Sequence, residues 1–244
     1  MFFKYALLFF IYSFVGWLYE TVLCSVEERK LINRGFLRGP YCPVYGFGAI
    51  IDILVLNKID NIFVLFFMGV ILTCSLEYFT SWLLEKLFDA RWWDYSYMKF
   101  NIKGRICLLG AIVFGLFSVL LIKLLNPFVM SLINKIDYGY LVFSTILITL
   151  IFIADLVITV NRLLIFNNKL KELQEFLASK KLIGNVKTAV SIDEGFIVNF
   201  KDRIHDLITQ FTIHDKRLLK SFPRFKSTLY NEAINKIREY FNKQ

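Results

Sequence analysis

The sequence predicts an all-α protein: a polytopic transmembrane helix bundle of about five spans with a small helical cytosolic tail. Three observations predict it. Apolar residues make up 57% of the 244-residue chain, against roughly 45–50% in soluble domains. That excess is confined to residues 2–164, which are built of long apolar runs, whereas residues 165–244 read as ordinary charged helix. Lys and Arg gather in alternate connecting segments, the pattern that sets orientation in a membrane. Two domains follow, a transmembrane domain over 1–164 and a basic amphipathic tail over 165–244.

Crossing about 30 Å of hydrocarbon takes about 20 helical residues. Span one covers 2–26. It is too long for a signal peptide, contains Glu20 and lacks a small-residue cleavage site, so it reads as a retained span. Span two, 41–56, is the shortest, carries Gly46, Gly48 and Asp52, and has a re-entrant segment as its alternative. Span three covers 62–84. Span four, 106–125, spaces Ala111, Gly115 and Ser118 for close helix approach. Span five covers 138–164.

The connecting segments fix the orientation. Segments 27–40 and 86–105 hold nine Lys and Arg, against Lys4, Lys58, Lys123 and Lys135 on the other side, and sixteen more follow from Arg162 onward. The expected topology is therefore a multi-pass cell-membrane protein with its N-terminus outside and its C-terminus in the cytosol. The net charge of +9 then expresses topology and attraction to anionic membrane lipid. Nucleic acid is not an expected partner, since no basic stripe is interleaved with aromatics.

Ionisable groups inside a span need a partner or a wet cavity. Glu20 shares a face with Ser13, Gly16 and Cys24; Glu77 shares one with Thr73, Ser81 and Glu85; Asp155 shares one with Ser144, Thr159 and Arg162. Glu20, Glu77, Glu85 and Asp155 are thus the candidate acids of a polar chamber opening toward the cytosol, compensated by Arg34, Arg38, Arg91 and Arg105 from the loops. The bland reading is that these groups only lock helices and loops together.

Two loops stand out. Segment 33–48 carries Gly35, Gly39, Pro40, Pro43 and Gly46, which predicts a bent, non-helical approach to span two; such backbone survives at membrane depth only where protein or a wet cavity surrounds it. Segment 91–105 carries Trp92, Trp93, Tyr95 and Tyr97. An interfacial belt explains these aromatics, but it explains Asp94, Asn101 and Arg105 less well.

Together the blocks Gly16-Trp17 with Glu20, Asn33-Arg34-Gly35-Phe36-Leu37, Gly39-Pro40, Cys42-Pro43, Tyr45-Gly46, Glu77-Tyr78, Trp92-Trp93-Asp94-Tyr95-Ser96, and Asn101 with Gly104-Arg105-Ile106-Cys107 resemble the bacterial ABC-transporter type IV family of membrane proteins. The resemblance runs from about Phe10 to Gly110 and weakens beyond, although the run from His214 to Pro223 also looks like a tail motif of such proteins. It implies a permease-like component and carries over neither substrate nor catalytic residues. The chain has no G-x-x-x-x-G-K-[ST] phosphate loop, so an ABC system would need a separate nucleotide-binding ATPase subunit.

Catalysis and metal chemistry find little support. Both histidines, His205 and His214, lie in the tail, and the four cysteines show no C-x-x-C spacing; they read as reduced thiols, and no metal or other cofactor is expected. Three classes stay open: a transport permease or accessory subunit, which the resemblance favours; a membrane enzyme on a lipid-linked substrate with Glu20 or Glu77 as base; and a scaffold or regulatory subunit, with a homo-oligomer conceivable in any of them. In the tail, Leu170, Leu173 and Leu177, then Phe196, Phe200, Ile204, Leu207 and Phe211, then Phe225, Leu229, Ala233, Ile237 and Phe241 predict three helix faces, with a linker flanked by Gly184 and Gly195.

Overall fold

A computed structural model describes residues 1–186 and 194–242 of the chain. Its helices in chain order are α1 (Phe2–Glu27), α2 (Pro43–Leu56), α3 (Ile62–Phe88), α4 (Leu108–Leu120), α5 (Asn126–Ile133), α6 (Tyr138–Val186), α7 (Glu194–Thr209), α8 (Ile213–Ser221) and α9 (Asn231–Asn242). A π-helical turn, Leu121–Leu125, joins α4 to α5. Pro127 follows it: proline has no N–H to give the Lys123 carbonyl four residues back and its ring crowds that carbonyl, and just before it Asn126 N–H reaches Leu121 O, five residues back. Strands are two-residue pairs: β1 (Ala90–Arg91) with β4 (Lys226–Ser227), and β2 (Asn101–Ile102) with β3 (Ile106–Cys107), both antiparallel.

Among the described residues four helices are long and apolar enough to cross a membrane: Phe2–Glu27, Ile62–Phe88, Leu108–Ile133 and Tyr138–Ser179. The fifth expected span is the 14-residue α2, about 21 Å long. The chain reaches it along α1 rather than through solvent. Ile32 N–H donates to Ser25 Oγ (3.0 Å), Arg34 N–H to Thr21 Oγ1 (3.3 Å) and Cys42 N–H to Ser13 O (2.9 Å). Partners that step from 25 to 13 mean that segment 32–42 descends antiparallel to α1 over about 18 Å. Extended descent and short helix together exceed the hydrocarbon thickness.

The chain divides into two compact units, Met1–Leu83 with Trp93–Thr159, and Leu84–Trp92 with Val160–Gln244. The second unit takes in the end of α3. In the first unit, Leu8 and Tyr12 of α1, Ala49, Ile53 and Leu56 of α2, Leu65 of α3, and Leu121 and Ile122 of the π turn form the core. The small residues expected in span four do allow close approach: a Cβ on Gly115 would run into Phe66 and Val70 of α3. Outward faces remain apolar, as Phe63, Phe67, Phe143 and Leu150 illustrate, which suits lipid as solvent.

The second unit packs as a small helical body. Phe166, Leu170, Leu173 and Leu177 line one buried face of α6, and Phe166 stacks edge-on to Phe211 at 5.8 Å. Trp92 is buried between Phe222 (5.0 Å) and Phe225 (5.3 Å), so this tryptophan is a core residue and not part of an interfacial belt. Asp215 accepts from Thr212 N–H (2.8 Å) at the start of α8 and pairs with Lys169 (3.3 Å). Ala233, Ile234 and Ile237 give α9 its buried face. Leu229, expected on that face, precedes the helix and is exposed. Gly184 and Gly195, expected to flank a linker, lie inside α6 and α7; residues 187–193 lie outside the described residues, as do the side chains of Phe196, Phe200 and His214.

Candidate functional site

Both loops fold back into the first unit and meet helix side chains there. On α1, Glu20 holds two partners. Its Oε1 accepts from Tyr45 Oη at 2.6 Å and its Oε2 lies 3.4 Å from Arg34 Nε. Arg34 comes from the descending segment and Tyr45 from the first turn of α2. Close approach makes this possible: a Cβ on Gly16 would strike the Tyr45 ring, and one on Gly46 would strike Ser13 Oγ and Phe9 O. Trp17 Nε1 donates to Asn33 Oδ1 at 2.8 Å, fixing the segment one turn further along α1.

The second loop supplies the other half. Tyr95 Oη donates to Glu77 Oε1 at 3.3 Å, and Glu77 is buried. Glu77 lies 11 residues before the end of α3, so the loop reaches back about 16 Å along that helix. Arg105 is buried beside it, with Nη1 3.3 Å from Ser81 Oγ and its guanidinium over the Tyr78 ring at 5.4 Å. Trp93 Nε1 donates to Arg105 O at 3.0 Å.

The β2–β3 hairpin holds this loop in shape. Lys103 and Gly104 take positive φ at its turn, Asn101 Oδ1 accepts from Gly104 N–H (2.9 Å), and Gly104 O accepts from Tyr95 N–H (2.8 Å). Asp94 Oδ1 caps the bend by accepting from Ser96 N–H and Ser96 Oγ. Asp94 and Asn101, which a belt left unexplained, are therefore loop-shaping residues.

The two halves sense each other. Burial first, then the carboxylates of Glu77 and Glu20, raise the Tyr95 phenol well above its ordinary range, while the Arg34 guanidinium opposes them. Glu20 with Arg34 and Tyr45, and Glu77 with Tyr95, are thus two polar sets within electrostatic reach of each other, together holding two carboxylates, one guanidinium and two phenols. Such a set can hold a cation, a proton or a polar group of a larger ligand.

The remaining predicted residues go elsewhere. Asp155 of α6 serves the descending segment: its Oδ2 accepts from Arg38 N–H (3.0 Å), Gly39 N–H (2.8 Å) and Tyr41 Oη (2.8 Å). Arg38 and Pro40 are exposed, so Arg38 contributes its backbone N–H to Asp155. Gly35 and Gly39 shape the segment, and Pro43 begins α2. Glu85 pairs with Arg91 at 3.0 Å within the second unit and is not among the residues gathered around Glu20 and Glu77. Sequence reasoning missed Thr21 and Ser25 as partners of the loop, and Tyr41 as the loop's own donor to Asp155; for the first two, polar residues one turn apart on α1 were the available signal. Among the described residues no group of three metal-ligating side chains occurs, and the four cysteines are free.

The profile of the family described as "Putative ABC-transporter type IV" matches residues 7–160, well over half of the chain. The match extends past the region around Gly110 where the motif blocks end, and it leaves out the tail. No curated protein and no solved structure matches.

Proposed function

The chain belongs to the ABC-transporter type IV family, and from that premise we propose that it is the non-hydrolysing membrane component of a transport system, a permease or accessory subunit working with a separate nucleotide-binding ATPase. We place it in the cell membrane with its N-terminus outside and its C-terminus in the cytosol, on the strength of the nine-to-four bias of Lys and Arg between loops.

The convergence of Glu20, Arg34, Tyr45, Glu77 and Tyr95 carries the reading. Two acids inside an apolar bundle are costly, and here two irregular loops fold back over helix to reach them. Helix glue alone needs no such construction, since single interhelical hydrogen bonds are individually modest. In this proposal the cluster is the cytosol-side site through which a polar or charged substrate passes.

Affinity purification of the tagged full-length chain in mild detergent, followed by mass spectrometry, tests it. A nucleotide-binding ATPase in the eluate is the expected result, together with uptake lost in E20Q and E77Q strains whose protein levels match wild type. Eluates without any ATPase, combined with unchanged uptake in a deletion strain, would remove the transport reading.

A further inference from the structure

Asp52 lies in the middle of α2, 2% exposed. Its Oδ2 is 2.6 Å from Ser118 Oγ of α4, and its Oδ1 is buried without a hydrogen-bond partner. Ser118 is 1% exposed, and its Oγ is also 3.0 Å from Phe114 O. Gly69 of α3 closes the site, since a Cβ there would run into the Ser118 side chain.

An ionised carboxylate is an acceptor only and needs several donors. Here one hydroxyl is at hand, and its single proton has the Phe114 carbonyl as a second acceptor. Among the described residues no cation is paired with Asp52 either. Helix α1 brings to this core the Tyr5 and Tyr12 phenols, neither of them a cation, α3 brings no titratable side chain before Cys74, and the π turn brings Lys123, whose ammonium is engaged by Ile59 O (2.9 Å) and Asp60 (3.5 Å). On α2 itself the nearest titratable group, Tyr45, is committed to Glu20. A buried, uncompensated charge of this kind is strongly disfavoured. A proton on Oδ2 resolves the bonding: Asp52 donates to Ser118, and Ser118 donates to Phe114 O.

We propose that Asp52 and Ser118 form a proton-binding site within the bundle, in which Asp52 is the neutral acid and its proton bridges α2 to α4. This does not depend on the transport reading. Proton occupancy and the α2–α4 contact are linked, because releasing the proton requires water to enter between the two helices.

Infrared spectra of the full-length protein in detergent at neutral pH, in H2O and D2O, test the site. The expected result is a protonated-carboxyl C=O band that moves down in D2O and is missing from D52N, with D52N unfolding at the wild-type temperature, since an amide supplies the same donor and carbonyl. In S118A the band persists at higher frequency, its acceptor removed. Failure to find a band that D52N removes would overturn the proposal. Should D52N not fold, S118A decides: an acid band that stays where it was in wild type overturns it equally.

Discussion

Asp155 places three donors on one oxygen, two of them backbone N–H groups of a segment with no regular hydrogen-bond ladder. Hydrogen bonds to a charged group are worth about 1.5–3 kcal/mol each, and leaving donors unmet costs a similar amount. D155A should therefore lower unfolding stability in detergent by roughly 2–3 kcal/mol and open 32–42 to proteolysis. D155N should cost less, since the amide oxygen keeps an acceptor in place. Unchanged protease resistance in D155A would refute the clamp. Gly46 tests a different force. Its Cβ would meet Phe9 O, a backbone atom of a helix that cannot swing aside. G46A is expected to destabilise by about 1–3 kcal/mol, the usual range for overpacking, and to weaken the Tyr45–Glu20 bond by pushing α2 off α1. A wild-type melting temperature in G46A would count against this packing.

At the scale of elements, the hairpin of β2 and β3 decides whether Tyr95 can reach Glu77. Gly104 sits at φ +69°, and a Cβ there would strike Ser96 Oγ and Asp94 Oδ1. A left-handed conformation costs an L-residue about 1–2 kcal/mol, before that clash is counted. G104A should thus release the Tyr95 N–H to Gly104 O bond and lower thermal stability, whereas K103G, which relieves a non-glycine residue at φ +52°, should raise it slightly. The opposite ranking of melting temperatures would show that the turn does not carry the loop. What was legible in the sequence follows the same physics. Long apolar helices announce themselves because lipid demands both length and composition, so α1, α3, α4 and α6 were readable to within a few residues at most ends. The descent of 32–42 was not, because an extended segment bonded to Ser25, Thr21 and Asp155 has no period. Its Gly and Pro content predicted only that it would be irregular. Trp92 misled for a related reason: tryptophan beside a basic loop suits a headgroup belt as well as a core, and its actual neighbours, Phe222 and Phe225, are some 130 residues away in sequence. Glu20 and Arg34 were readable as members of one site, since both stand out as charges against apolar or glycine-rich surroundings. The pairing of Glu20 with Tyr45 and of Glu77 with Tyr95 was not.

At the scale of the whole molecule the open quantity is how many times the chain crosses, and α2 decides it. Within the first unit, Lys4 bonds Asn134 (2.6 Å), tying the start of α1 to the end of α5, and Lys123 bonds Ile59 O (2.9 Å), tying the π turn to the α2–α3 connection. If segment 32–42 and α2 together traverse the hydrocarbon, residues 58 and 135 face outside and residues 30, 99 and 244 face the cytosol. Phosphatase fusions, active only outside, should then be active after Lys58 and Lys135 and silent after Lys30, Lys99 and Gln244. A re-entrant α2 would instead return the chain to the side it came from, so that the fusions after Lys30 and Lys58 would report the same compartment. The charge bias gives the prediction a second arm. Placing three extra Lys between 57 and 61 should erode the nine-to-four difference and yield a mixed population of reporters. The same substitutions near Arg29 should leave the pattern sharp, because that side already holds the excess. Activity after Lys99, or silence after both Lys58 and Lys135, would reverse the orientation and with it the cytosolic placement of Arg34 and Tyr95.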